Sequence, residues 1–347
     1  MYFQRGFPDL SNAIENCTVL TDFILLGLSG RWDVQQGLFV LFLLVYGITV
    51  IANPGMILLI SMDPRLHMPM YYFLSNLSFS DVCYSSSVSP KMLAHFLSKQ
   101  KKIAYNLCAF QMFFFGTFAD VQCVMLSVMA YDHYVAICNP LLYTTAMSGR
   151  VCTQLVAIVH IQSLVYSAIL IYCTIQLSFC NSNIINHFFC VFSLLLSLST
   201  SDTTINEVVM CTSSSCVLGF SIVTVFLSNS YIINTILRMK SAKGRHKAFS
   251  TCASHLTAMT MFYRTLLFMY FQLSSSHSMG TDKVASVFYT VVIPMLNPLI
   301  YSLRNKDVKD ALKKAVGTKL SSVGSHVFIQ SVYLKILRAK VQVFHIH

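Results

Sequence analysis

Apolar residues run along this chain in seven long blocks separated by short polar stretches. They span approximately Gly37–Ser61, Met70–Met92, Leu107–Tyr131, Val151–Tyr172, Glu207–Leu237, Phe249–Gln272 and Val284–Leu303. Each holds about 20 residues or more, the length at which an α-helix crosses the hydrocarbon core of a bilayer. The first carries no charged residue over its whole length, whereas Asp81, Asp120 and Arg264 lie well inside the second, third and sixth. The pattern predicts an all-α membrane protein, a seven-transmembrane helix bundle. Residues 1–36 precede it, residues 37–303 form it, and residues 304–347 follow as a tail with a short amphipathic helix near 306–314. Residues 1–36 show no uninterrupted apolar core behind a basic start, so the first span is expected to act as its own insertion signal.

Composition supports this reading. Of 347 residues, 55% are hydrophobic and 11% charged, with a mean hydropathy of +0.63; soluble domains carry about a quarter charged residues. The net charge of +11 would suit nucleic acid only if it clustered on a soluble surface. Here the basic residues sit between apolar blocks, where they set orientation, and no nucleic-acid partner is expected. Arg65, Arg150, five residues between 238 and 247 and nine from Arg304 onward fall on one side. Arg5, Arg31, Lys91, Lys99, Lys101, Lys102 and Lys283 fall on the other. The excess predicts the N-terminus outside and the C-terminus in the cytoplasm. Asn16-Cys17-Thr18 is a glycosylation sequon, usable only with that orientation. The twelve cysteines form no CxxC pair and stand at no metal-ligand spacing to histidine, so neither metal nor cofactor is expected. No nucleophile–base constellation appears, which argues against an enzyme.

Polar residues inside the blocks are the candidates for function. A carboxylate at mid-membrane costs about 2.5–3.5 kcal/mol on insertion scales, so Asp81 should face the bundle. Asn53 is placed either to bond a neighbouring helix or merely to be tolerated near a helix end, and Pro54 beside it should kink the first span. At the end of the third block, Asp132-His133-Tyr134 precedes the helix stop at Asn139-Pro140. From spacing alone the triplet is a boundary anchor more readily than a switch.

Five motifs occur in register between the spans: Leu66-His67-Met68-Pro69-Met70-Tyr71, Ser89-Pro90-Lys91-Met92-Leu93, the stretch Met129 to Tyr143 around the triplet, Lys247-Ala248-Phe249-Ser250-Thr251-Cys252, and Pro294-Met295-Leu296-Asn297-Pro298-Leu299-Ile300-Tyr301. Together they resemble the signature set of vertebrate olfactory receptors, a branch of the rhodopsin-like G-protein-coupled receptors, over roughly residues 20–315.

The resemblance implies a receptor in the plasma membrane that binds a small, volatile, mostly apolar ligand and activates a heterotrimeric G protein of the olfactory stimulatory type. It implies a Cys108–Cys190 disulfide. It makes Asp132, His133, Tyr134, Tyr231, Lys247, Asn297, Pro298 and Tyr301 the coupling and switch residues, and Asn53, Asp81 and Gln122 the intramembrane polar core. The ligand is expected near Phe115, Ala119, Asp120, Tyr263, Arg264, Leu266 and Leu267. The basic stretch 238–247 would meet both anionic lipid and the G protein.

The chain departs from the family pattern in five places. Cys180 loses its usual loop partner, because Thr200 stands there, and is expected to be unpaired. Gln122 replaces a glutamate, and Arg264 replaces a glycine. Counting about 1.5 Å per residue, Asp120 lies ~18 Å below Cys108 and Arg264 ~12 Å below Gln272, which allows an Asp120–Arg264 ion pair. His133 replaces an arginine, and the tail beyond Ala315 is long for the family. These departures keep open a second reading, a receptor-fold protein that no longer signals. A transporter or channel is more remote, since no internal repeat is visible.

Overall fold

The computed structural model describes residues 22–98, 101–180, 182–238, 241, 245, 260, 263 and 279–320. The sequon at Asn16, the expected sixth span apart from residues 260 and 263, and Lys247, Arg264, Leu266 and Leu267 lie outside the described residues, as does the tail beyond 320. The long helices are α1 (Trp32–Met62), α2 (Pro69–Leu97), α3 (Tyr105–Cys138), α5 (Gly149–Ile175) and α7 (Thr204–Arg238). The seventh expected span is α8 (Met279–Val287), a π-helical turn (Phe288–Val292) and α9 (Ile293–Arg304) in sequence. Short helices α4 (Tyr143–Ala146) and α6 (Phe192–Leu198) sit in connections, and α10 (Lys306–Leu320) follows α9.

Among the described residues five helical stretches are long and apolar enough to cross a membrane; the Asp81 helix α2 is not one of them. Apolar side chains on their outer faces, such as Ile51, Leu58, Phe226 and Leu237, stay exposed, because lipid rather than protein covers them. The core forms where α2, α3, α5 and α7 meet around Leu77, Met125, Leu126, Met129 and Val156. Small residues bring helices close. A Cβ on Gly116 of α3 would lie 3.3 Å from Ser167 Oγ of α5, so only glycine fits that crossing without a shift.

Charges define the ends of membrane helices poorly when they point inward. The apolar block ends at Tyr131, and α3 continues past it through Asp132 and His133 to Cys138, stopping at Asn139 where the Asn139-Pro140 signal predicts. Both charged-type side chains are buried within the bundle. The first helix likewise begins at Trp32, ahead of Gly37, and runs through Pro54 to Met62. The surface helix α10 is longer than its expected 306–314. Asn305 Oδ1 accepts from the backbone N–H of Asp307 (2.9 Å) and Val308 (3.2 Å), capping α10, and Val308 and Ala311 bury its inner stripe.

One end of the bundle carries a small sheet that the apolar pattern did not foretell. Strand β1 (Asp22–Leu25) lies between β2 (Lys102–Ala104), antiparallel to it, and β3 (Ile184–Ile185), parallel to it. Phe23, Leu25, Ile103 and Ile185 bury their side chains around the Cys108–Cys190 disulfide. Past β1 the chain turns at Gly27, whose φ of +77° suits glycine. Lys283 Nζ donates to the Gly27 carbonyl and to Asn186 Oδ1, each at 2.8 Å, tying β1, the 176–203 connection and α8 together.

Cys180 corrects an expectation: it is disulfide-bonded, not unpaired. The other described cysteines outside the Cys108–Cys190 bridge are free thiols, so its partner lies outside the described residues.

Candidate functional site

Three polar centres lie along α3. Near the sheet, Gln111 joins two elements. Its Nε2 donates to the Ser87 carbonyl of α2 (3.1 Å), and its Oε1 accepts from the Cys190 backbone N–H (3.0 Å). Together with the disulfide this holds the 176–203 connection across the bundle mouth. His187 in that connection is buried, with Nε2 3.2 Å from Ser286 Oγ and its ring against Phe188 and Phe189. Burial, and then the charge of Lys283, push its pKa down to about 3, so the ring is neutral.

Below this lid is a cavity of about 340 Å³ between α3, α5, α7 and the lid residues Phe189 to Ser193. Phe115, Ala119 and Asp120 line it as expected, joined by Met112, Gly116, Cys123, Tyr166, Leu170 and Tyr289. The Asp120 carboxylate is 8% exposed and accepts a 2.6 Å hydrogen bond from Ser163 Oγ of α5. Tyr263 sits deeper than this lining, its hydroxyl donating to the Cys123 carbonyl (3.1 Å) and lying 3.3 Å from Ser127 Oγ. A small fourth-span serine such as Ser163 gives no signal in the sequence. Only its fully buried setting marks it out.

The second centre answers the mid-membrane carboxylate. Asp81 is fully buried. Gln122 Nε2 donates to its Oδ1 at 2.9 Å, and Asn297 Nδ2 reaches both oxygens at 3.1 and 3.0 Å. Asn53, from α1, donates to the Pro294 carbonyl (3.0 Å) as well as to the Thr49 carbonyl (3.1 Å) in its own helix. It therefore bonds across helices, the first of its two expected roles. Gln122 now has a physical reason: an amide donates to Asp81, whereas a second carboxylate in its place would repel it. Asn53, Asp81, Gln122 and Asn297 thus link α1, α2, α3 and α9 in one network, next to Pro298.

The third centre is the triplet. Asp132 is 1% exposed and His133 5%. Tyr143 Oη of α4 donates to Asp132 Oδ1 at 3.0 Å. Burial, and then the adjacent Asp132 charge, hold the Tyr143 phenol well above its ordinary pKa, so it stays a donor. Tyr143 was not singled out in the sequence, although it follows Asp132 by 11 positions, just past the helix stop. The Tyr134 ring lies 5.6 Å from that of Tyr231, and Ile232 and Ile236 of α7 pack against Tyr134, Ile137 and Cys138. Side-chain positions are described for Asn297 but not for Tyr301.

No group of His, Cys, Asp and Glu able to hold a metal occurs among the described residues.

Comparison with known proteins places this arrangement. The olfactory receptor family profile matches residues 42–319. The chain is 54% identical to human olfactory receptor 8U9 over 304 residues, covering 88% of this chain and 98% of that one. It is 55% identical to mouse olfactory receptor 5AP2 over 300 residues, covering 86% and 95%. Squid rhodopsin superposes with a TM-score of 0.63 at 18% identity, covering 85% of this chain and 89% of that one, and shares the seven-helix fold. The protein is therefore a multi-pass plasma-membrane signalling receptor rather than an enzyme, and this chain belongs to the olfactory receptor family.

Proposed function

We propose that this odorant-sensing receptor binds a small, mostly apolar volatile ligand in the cavity beneath the lid and activates a stimulatory G protein of the olfactory type. The observation that carries the reading is that one helix, α3, bears both ends of it. The cavity residues Phe115, Ala119 and Asp120 lie on the same helix as the buried Asp132-His133 pair. A ligand shifts the resting-to-active equilibrium only by its differential affinity for the two states. A displacement of α3 is a direct way to make that difference felt at the triplet. The Asp81–Asn297 network beside Pro298 is the second coupling route, because proline leaves a backbone acceptor that polar neighbours can resatisfy as α9 moves.

In this reading the N-terminus with its Asn16 sequon faces outward, and α10 with the basic 238–247 stretch, Lys247 included, faces the cytoplasm, anionic lipid and the G protein. Tyr134, Tyr231 and Tyr301 are the aromatic switch residues at that face.

His133 favours a second reading, reduced coupling. An arginine is always charged and offers a forked set of donors, whereas a buried imidazole is shorter and has neither. Cells expressing the receptor should give a cyclic-AMP response to a broad odorant panel, raised at least several-fold by His133→Arg at equal surface level. No response from either form would refute the signalling function. Equal responses would refute the impairment.

A further inference from the structure

We infer that the cavity ligand carries a protonated amine held by Asp120, a proposal that rests on the ligand-binding reading above. The cavity contains one acidic side chain and, among the described residues, no Lys, Arg or His lines it. Asp120 is 8% exposed, and its protein donors there are neutral: Ser163 Oγ, at 2.6 Å to Oδ2, and the Gln162 side chain. An ionised carboxylate has four acceptor sites and no donor. A neutral hydroxyl and a neutral amide leave its charge uncompensated, and a buried carboxylate needs a cation to balance removal from water. A ligand ammonium supplies it, with charge-assisted hydrogen bonds about twice as strong as neutral ones. Ser163 and Gln162 supply two donors for four acceptor sites, which leaves the carboxylate with acceptor capacity for a ligand.

The rest of the cavity sets the other half of the ligand. Met112, Phe115, Leu170, Phe189 and Tyr289 make an apolar and aromatic wall, and about 340 Å³ is near the lower end of the range for small-molecule sites. The class is a primary or secondary amine on a short alkyl or aryl tail. Arg264, expected from the sequence as a partner for Asp120, lies outside the described residues, and the experiment decides between it and the ligand.

The test is thermal unfolding of the purified full-length receptor with hexylamine, hexanol or hexyl methyl ether, three probes with one tail and different heads. Hexylamine should bind roughly tenfold more tightly than hexanol or the ether, the difference expected when a charge-assisted bond replaces a neutral one. Asp120→Asn should erase that preference while leaving the weaker shifts of hexanol and the ether in place. Equal shifts for amine and ether on the unmodified receptor overturn the proposal, and this comparison needs no variant to fold. An amine preference that appears only in Arg264→Gly assigns the carboxylate to Arg264 and also overturns it. No shift with any probe removes the cavity as a ligand site and the proposal with it. The readout does not depend on G-protein coupling. An amine shift without a cyclic-AMP response therefore refutes the signalling function alone, and odorant responses without amine preference refute this inference alone.

Discussion

The two ends of the bundle are held by different means. At the sheet end, a disulfide, a three-stranded sheet, Gln111 and the Lys283 bonds to Gly27 and Asn186 converge on one lid. At the triplet end, among the described residues, a phenol from α4 holds Asp132, and Tyr134 meets Tyr231 by ring contact. The difference teaches how one fold serves two tasks. A ligand cavity profits from a fixed roof, since preorganised contacts waste less affinity on ordering. A surface that must alternate between two arrangements needs contacts that exchange at small cost.

Breaking the disulfide should have the largest effect. Cys190→Ser opens a covalent loop whose ends are separated by 82 residues; chain-entropy reasoning assigns such a loop about 4 kcal/mol. Surface expression should collapse, and the comparison fails if Cys190→Ser melts within a few degrees of the unmodified receptor. Acid should act next, and on the same end. His187 has its pKa lowered to about 3 in the fold and an ordinary value of about 6.5 when unfolded. The unfolded chain therefore binds more protons between those values, and stability declines as pH falls below about 6.5. At pH 5 the loss is roughly 2 kcal/mol, and His187→Gln should remove most of the pH 5 to 7 difference in melting temperature.

The smallest effect belongs to the triplet end. Tyr143→Phe leaves Asp132 buried without its donor, at a cost of about 1.5 kcal/mol. That change should lower melting modestly but shift ligand-independent cyclic-AMP output measurably. A larger stability loss than Cys190→Ser would reverse the contrast between the ends.

Much of this was readable in advance, for reasons that differ from residue to residue. The spans were legible because lipid demands unbroken apolar runs, and Asp81 was legible as inward-facing because a charge has no other place to go. The resemblance grouped Gln122 with it in the polar core, but the bond from Asn297 was not legible, since Asn297 lies 216 positions away and an amide on an apolar helix has many candidate mates. The end of α3 was legible in Asn139-Pro140, whereas the burial of Asp132 and His133 was not, because charges beside an apolar run look like a membrane boundary. The sheet escaped because strands of four, three and two residues are too short to show a period. Of the residues that line the cavity, Phe115, Ala119 and Asp120 were named from the family resemblance, whereas Ser163 and the lid wall come only from three-dimensional proximity.

The π-helical turn Phe288–Val292 carries a consequence for how this helix tolerates change. The Ile293 N–H bonds back five residues to the Phe288 carbonyl, so one residue more than an α-helical turn requires is stored there. Removing a single residue from 288–292 would let the segment relax into regular α-helix while everything beyond it keeps nearly its present facing. Asn297 would still face Asp81, and the Pro294 carbonyl would still face Asn53. A one-codon deletion here should thus be tolerated better than one between Ile293 and Asn297, where regular helix has no spare residue and Asn297 would rotate about 100° away from Asp81.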